Sequence, residues 1–269
     1  MKKIKEISID QISLMVPINS QTLSEFEIPE EVQMVRYLFK FDDIFDKPEE
    51  LNHGFNGYTN ALKYGTSQAK VLIMWSWRQP WMGVFVMFYG QGKKLYESLA
   101  NLINFKVDWK KIIEEIYFEF AGHVSRLDTA VDLINYGFSV NSISQKLNNG
   151  KYLFLNGKTK RQIGTDRIQT IGDSGVVDTI YVGKRKSDAY LRIYNKRKEG
   201  ISNKNNGYYY QAKATTDWIR IEAEIKGRTA HQLGDAIARL NDARKMYPLL
   251  AENIMDHWML VKNDEEKEL

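Results

Sequence analysis

Three stretches alternate apolar and polar residues so regularly that each reads as a β-strand with one face turned to a core. In IRIEAEIK, 219–226, one face carries Ile219, Ile221, Ala223 and Ile225, and the other Arg220, Glu222, Glu224 and Lys226. In RLDTAVD, 126–132, Leu127, Thr129 and Val131 oppose Arg126, Asp128, Ala130 and Asp132. In LRIYNK, 191–196, the polar half reads Arg192, Tyr194, Lys196. Successive side chains on a strand point to opposite faces, so residue parity is a face assignment. If these strands share a sheet, its polar face gathers Asp128, Asp132, Glu222 and Glu224 near Arg126, Arg192, Arg220, Lys196 and Tyr194. One such strand is adequately explained as a solvated face whose cross-strand ion pairs contribute about 0.2–1 kcal/mol each. Three with the same character favour a functional site.

The rest of the chain supplies more strands and packing helices. ISIDQISLMV, 7–16, is a strand ended by Pro17, and residues 57–87 read as two or three more. Helical spacing predicts helices over 29–45, 109–120, 140–147 and 229–261. YGQGKKLYESLANLINF, 89–105, reads as a tight glycine turn opening into a helix with Leu95, Leu99, Leu102 and Ile103 inward. Between 151 and 197, Asn156-Gly157, Asp173-Ser174-Gly175 and Gly183 punctuate three or four strands as consecutive hairpins. A Gly- and Asn-rich loop is expected at 200–207, and the tail KNDEEKEL is expected to fray. The pattern predicts an α+β fold: a curved, largely antiparallel sheet with helices packed on the face opposite the site. Residues 1–269 read as a single domain.

Composition removes many chemistries. The chain has no cysteine, so disulfides, thiolate catalysis and cysteine-held metals are excluded, in keeping with a cytoplasmic protein. His53, His123, His231 and His257 are too scattered for a histidine-built metal site, and His123 reads as a strand-end residue. No P-loop or Ser/His/Asp arrangement is visible. The longest apolar run, VLIMWSW, falls far short of the roughly 20 residues of a membrane span. The net charge of +4 is regional: 157–213 holds 13 Lys and Arg against 5 Asp and Glu. A local cationic stretch that includes Lys184, Arg185, Lys186, Arg197 and Lys198 suits a polyanion, although a solvated charged hairpin would look the same.

The chemistry such a face could support is metal-assisted phosphoryl transfer. Carboxylate oxygens are the donors Mg²⁺ or Mn²⁺ prefers, and such an ion would polarise a phosphodiester. A phenol with a pKa of about 10 is a weak nucleophile until neighbouring cations favour the phenolate and hold a phosphate beside it. Arg192 and Lys196 flank Tyr194 in that way. Tyr181 and Tyr190 are rival nucleophiles; Tyr190 shares the parity of Tyr194, whereas Tyr181 reads as a packing residue.

SRLDTAVDL (125–133), TIYVGKRKSDAYLRIYNKRKEG (179–200), WIRIEAEIKG (218–227) and the earlier MFYGQGKKLYESL resemble, in order, the signature blocks of the Rep_trans replication initiators of Gram-positive rolling-circle plasmids. Related relaxases of conjugative transposons share these blocks. The resemblance spans roughly residues 7–235, loosely before 120. It implies a site-specific DNA nickase and ligase, topoisomerase-like, that initiates and terminates rolling-circle replication. The tyrosine of the RIYNK block, Tyr194 here, would hold a 5′-phosphotyrosine and release a 3′-hydroxyl primer. It further implies a divalent metal, Mg²⁺ or Mn²⁺, assigned to Asp128 and Glu222 first and then to Glu224 and Asp132. Arg192 and Lys196 would assist catalysis, and Arg126, Arg220, Lys184, Arg185, Lys186, Arg197 and Lys198 would contact DNA. Plasmid origin DNA, a homodimer and a host helicase are the implied partners, and 228–262 is the expected helical part for origin recognition. A conjugative relaxase with the same chemistry and a non-catalytic single-stranded DNA-binding module are the alternatives.

Overall fold

The computed structural model describes residues 1–204 and 206–263, so the tail expected to fray lies outside the description from Asp264 onward. In chain order the elements are β1 (Ile4–Val16), α1 (Glu30–Leu38), α2 (Phe41–Ile44), β2 (Glu49–Leu51), β3 (Asn60–Gly65), β4 (Lys70–Trp75) and β5 (Val84–Phe88). Then follow α3 (Gly90–Leu102), α4 (Trp109–Phe118), β6 (His123–Ile134), α5 (Val140–Asn148), β7 (Tyr152–Leu155), β8 (Ile168–Asp173), β9 (Val176–Val182) and β10 (Ala189–Asn195). The last elements are α6 (Lys196–Ile201), α7 (Tyr209–Lys213), β11 (Trp218–Lys226), α8 (Gly227–Ala238), α9 (Met246–His257) and β12 (Met259–Lys262). Ten strands form one open sheet in the order β2-β3-β4-β5-β1-β6-β11-β10-β9-β8, and β12 pairs with β7 separately. The expectation of helices mixed with a large antiparallel sheet holds. No helix among the described residues is long and apolar enough to cross a membrane.

The chain divides into two compact units. One comprises Met1–Ile9, Asp128–Ile225 and the chain from Tyr247; the other comprises Asp10–Leu127 and Lys226–Met246. Residues 228–262 are therefore not one helical body: α8 falls in the second unit, most of α9 in the first, and the stretch ends in strand β12.

In the second unit, α1, α2, α3 and α4 bring Phe39, Phe41, Tyr96 and Trp109 around Phe88 of β5, with ring centroids 4.9–6.3 Å apart. Each such ring buries roughly 150–250 Å², so the cluster contributes substantial apolar burial to the unit. The helix expected over 29–45 is broken in two because Lys40 takes a left-handed conformation with φ 49°. The glycine turn expected at 90–92 is instead the first turn of α3. This helix buries Gly92, Lys93, Tyr96 and Ala100, leaving Leu102 78% exposed and Ile103 46%. Its inward face is set by Gly92, where a Cβ would lie 1.9 Å from the Lys70 carbonyl oxygen. Only glycine permits that approach of helix to strand.

In the first unit, β8, β9, β10 and β11 form an antiparallel meander. Ser174 and Gly175, at φ 50° and 78°, make the tight β8–β9 turn that Asp173-Ser174-Gly175 predicted. Asn156-Gly157 does turn the chain back, with Leu155 bridged antiparallel to Gln162, but the strand partner of β7 is β12, outside the large sheet. The parity reading places Val131, Leu133, Leu191, Ile193, Ile219 and Ile221 on one face. These residues line a cavity of about 330 Å³ with Ile143 of α5 and Ile254 of α9. Helices thus cover the apolar face, as expected. They are not confined to it: Ala212 of α7 packs with Ile134 and Trp218, which have the parity of the polar face.

Candidate active site

The site is built on two adjacent strands of the first unit. In the β10–β11 register Tyr190 stands opposite Glu224, Arg192 opposite Glu222, and Tyr194 opposite Arg220. Directly opposed residues of an antiparallel pair share a face, so these polar side chains converge as the alternation predicted. Tyr194 Oη donates to Glu222 Oε2 at 3.3 Å, and Arg192 Nη2 donates to the same oxygen at 2.9 Å. The Arg192 guanidinium also lies over the Tyr194 ring, 4.1 Å from its centroid. Burial works against the charge of Arg192, but Glu222 and the Tyr194 phenol beside it prevail and hold its pKa above the ordinary value. Its Nε is buried without a hydrogen-bond partner, while the side chain as a whole is 37% exposed.

Tyr194 does not stand on a wetted face. Its relative exposure is 7%, with the ring buried and the hydroxyl turned to Glu222 rather than to the apolar core. Lys196 belongs to the first turn of α6 rather than to the strand. It lies between the rings of Tyr194 and Tyr208, with Nζ 5.7 and 4.4 Å from their centroids, and bridges to Glu199 at 2.6 Å. Lys196 thereby links the Tyr194 and Tyr208 rings.

Asp132 and Arg220 form a second, buried assembly. Asp132 Oδ1 accepts from Trp218 Nε1 at 2.6 Å and from Arg220 Nε at 2.8 Å, while Oδ2 accepts from Arg220 Nη2 at 2.7 Å. Arg220 Nη2 also donates to Tyr208 Oη at 3.2 Å. With Asp132 5% and Arg220 3% exposed, this is a bidentate pair inside the unit. Here the expected roles are corrected: both Asp132 oxygens are taken by donors, and the Arg220 guanidinium is not presented to a phosphate.

The four expected metal ligands do not act as one set. Asp132 is committed to Arg220, Glu222 is shared by Arg192 and Tyr194, Asp128 is buried at 2% exposure, and Glu224 stands opposite Tyr190. Among the described residues no three His, Asp or Glu side chains group as a metal site. As arranged, this donor set does not fit a divalent ion, and no chemical step is derived through one.

The remaining expected residues divide by position. Lys184, Arg185 and Lys186 are exposed on the β9–β10 turn, and Arg185 sits 5.9 Å from the Tyr190 ring centroid. Arg197 Nε is bound to the Thr215 carbonyl at 2.9 Å. Lys198 pairs with Asp178, whose parity is that of buried Ile180 and Val182, so it faces away from Tyr194. Arg126 lies in the other unit, close enough to Tyr89 for its charge to pull that phenol's pKa down against the larger effect of burial. Tyr181 stands opposite Arg192 and so shares the polar face, stacked on Tyr190 at 5.5 Å. Burial, with Tyr181 beside it, pushes the Tyr190 phenol pKa up. Sequence reading missed Tyr208 and Trp218. The signals were the YYY run at 208–210 inside the basic region and a tryptophan at polar-face parity opening β11.

The "Replication initiation factor" model of the Rep_trans family matches residues 122–268, which contain the whole Tyr194 assembly. A protein named "Putative DNA relaxase NicK", from Bacillus subtilis (strain 168), is 26% identical over 241 residues, or 85% of this chain. The chain spans 63% of that relative's length. The solved structure titled "Structure of Rolling Circle Replication Initiator Protein from Geobacillus stearothermophilus" superposes with a TM-score of 0.67 at 18% identity. It covers 98% of this chain and 90% of that one, a likeness of fold. The chain belongs to the Rep_trans family of replication initiation factors.

Proposed function

We propose that this chain nicks and rejoins one DNA strand at a plasmid double-strand origin by tyrosine transesterification, with Tyr194 as the nucleophile. The observation that carries the reading is the Glu222 oxygen shared by Tyr194 and Arg192. Glu222 is within reach of the phenolic proton, and Arg192, its side chain 37% exposed, brings positive charge beside the same hydroxyl. As Oη attacks phosphorus, the Oη–P bond forms and the P–O3′ bond breaks. The phenolic proton passes to Glu222, and the departing 3′-oxygen is protonated to a free hydroxyl. One phosphoester replaces another, so the reverse reaction rejoins the strand without a nucleotide cofactor. For a phosphodiester to reach Oη on a side chain only 7% exposed, Lys196 and Tyr208 must shift.

The divalent metal that the family resemblance implies is kept as a requirement to be tested by its removal, and not as a site on Glu222 and Asp128. The exposed Lys184, Arg185 and Lys186 are proposed DNA contacts. Homodimer formation and helicase recruitment rest on the resemblance, and action in the cytoplasm on the absence of cysteine. Conjugative relaxation is a second reading with the same chemistry, favoured by the relaxase relative.

The test is a supercoiled plasmid carrying the DNA that flanks the coding sequence, incubated with the parent protein and Tyr194→Phe, with and without a divalent metal. Nicked circles and a covalent adduct on Tyr194 are expected from the parent only. DNA binding without nicking under any metal would turn the reading into a single-stranded DNA-binding module, and an adduct on another tyrosine would reassign the nucleophile.

A further inference from the structure

The second unit carries an aromatic and cationic surface to which the Tyr194 chemistry gives no role. Between β4 and β5 the chain runs SWRQPWMG, 76–83, and leaves Trp81 75% exposed. This turn is firmly held. Gln79 N donates to Ser76 Oγ at 3.2 Å, Gly83 N to the Pro80 carbonyl at 2.9 Å, and Trp77 N to Thr59 Oγ1 at 3.1 Å. Tyr58 Oη donates to the Met82 carbonyl at 3.3 Å, tying the turn to the β2–β3 loop. A tryptophan displayed on a fixed turn loses little conformational freedom when something stacks on it.

Cations accompany the rings. The Arg78 guanidinium lies 5.0 Å from the Trp77 ring centroid. On the β2–β3 loop Phe55 is 48% exposed, and Lys70 Nζ sits 5.8 Å from its centroid and 5.0 Å from that of Tyr89. Neither the turn 76–83 nor the loop 52–59 contains an Asp or Glu. A partner that used only apolar contact would leave Arg78 and Lys70 without purpose, and a basic partner would be repelled. Flat rings interleaved with cations, on two segments without an acid of their own, match unpaired nucleobases on a phosphate backbone, where stacking tolerates any base.

We propose that the β4–β5 turn and the adjoining β2–β3 loop form a second contact for single-stranded DNA, stacking bases on Trp81 and Phe55 while Arg78 and Lys70 meet the phosphates. The inference rests on the proposed function for its substrate class, since nicking leaves a single strand to be held.

The experiment is fluorescence anisotropy of labelled oligo(dT) titrated with the full chain, Trp81→Ala, Trp81→Phe and the double variant Phe55→Ala/Trp81→Ala. Trp81→Ala should weaken binding roughly 5- to 150-fold, the span of one stacked base, with Trp81→Phe in between. Arg78→Ala should lower the dependence of binding on salt. At limiting DNA, nicking should fall with binding and recover as DNA is raised. Unchanged oligo(dT) affinity in Trp81→Ala, with its melting temperature intact, overturns the proposal. So does a change in oligomeric state by light scattering that accounts for the loss, because the surface would then join two copies of the chain. Continued nicking by Tyr194→Phe would defeat the proposed function yet leave the anisotropy result standing, so the two failures are distinguishable.

Discussion

The guanidinium of Arg192 lies 4.1 Å from the centroid of the Tyr194 ring and donates to the same Glu222 oxygen that accepts from the Tyr194 hydroxyl. One side chain thus fixes the ring, sets the acceptor and keeps N–H groups for a third party. Only a planar, forked cation can stack and donate at once. Arg192→Ala should slow single-turnover cleavage roughly 100-fold or more, the scale of losing one positioned donor to a developing charge. Arg192→Lys should recover only part, about a tenfold loss remaining, because an ammonium cannot stack. Equal rates for the two variants would show that charge alone matters.

Asp132 and Arg220 should behave as a structural pair. Removing one partner leaves a buried charge uncompensated, so Asp132→Ala should cost about 3–5 kcal/mol in urea unfolding. The double variant Asp132→Leu/Arg220→Met should restore most of that stability, because the desolvation cost of both ions disappears with them. A double variant no more stable than Asp132→Ala would refute this structural role of the pair.

Which parts of this arrangement the sequence made legible follows from the range over which each signal acts. The faces of 191–195 and 219–226 could be assigned because alternation is a property of neighbouring residues, and the hydrogen-bonded register put Arg192 opposite Glu222 with that parity intact. The fate of Asp132 could not be read, because its donors Trp218 and Arg220 lie 86 and 88 residues away. The same alternation that made it look available is what brought it to a partner. Tyr208 was hidden in a stretch whose Gly and Asn content reads as loop, although that stretch folds back over Lys196. The rotation of α3 was lost because its apolar residues Leu95, Leu99 and Leu102 suggest one inward face, whereas the near contact of Gly92 with β4 imposes another.

That contact gives a sharp stability test. A Cβ on Gly92 would stand 1.9 Å from the Lys70 carbonyl oxygen, a backbone atom that cannot turn aside. Gly92→Ala should therefore force α3 off β4 and destabilise the protein by about 3 kcal/mol or more. Gly90 lies one turn-position earlier, where a Cβ would meet Asp10 Oδ2 at 3.0 Å, the movable end of a side chain. Gly90→Ala should cost far less. Similar unfolding midpoints for the two variants would refute this account of the helix.

His123 makes stability depend on pH. Its ring lies 5.1 Å from that of His231, with Tyr117 against His231 on the other side and Asp235 close enough to His231 to be influenced by it. Burial, and then the neighbouring His231, lower the His123 pKa from its ordinary 6.5. Between that lowered value and the ordinary one, the unfolded chain binds a proton that the folded chain does not. Stability then rises with pH across the interval. The contribution is complete above about pH 6.5 and is lost as acid approaches the folded-state pKa. Melting temperature measured from about pH 8 down to pH 5 should fall more steeply for the parent than for His123→Gln, which cannot take up the proton. Parallel curves would mean that carboxylates elsewhere, rather than this imidazole, set the acid sensitivity of the fold.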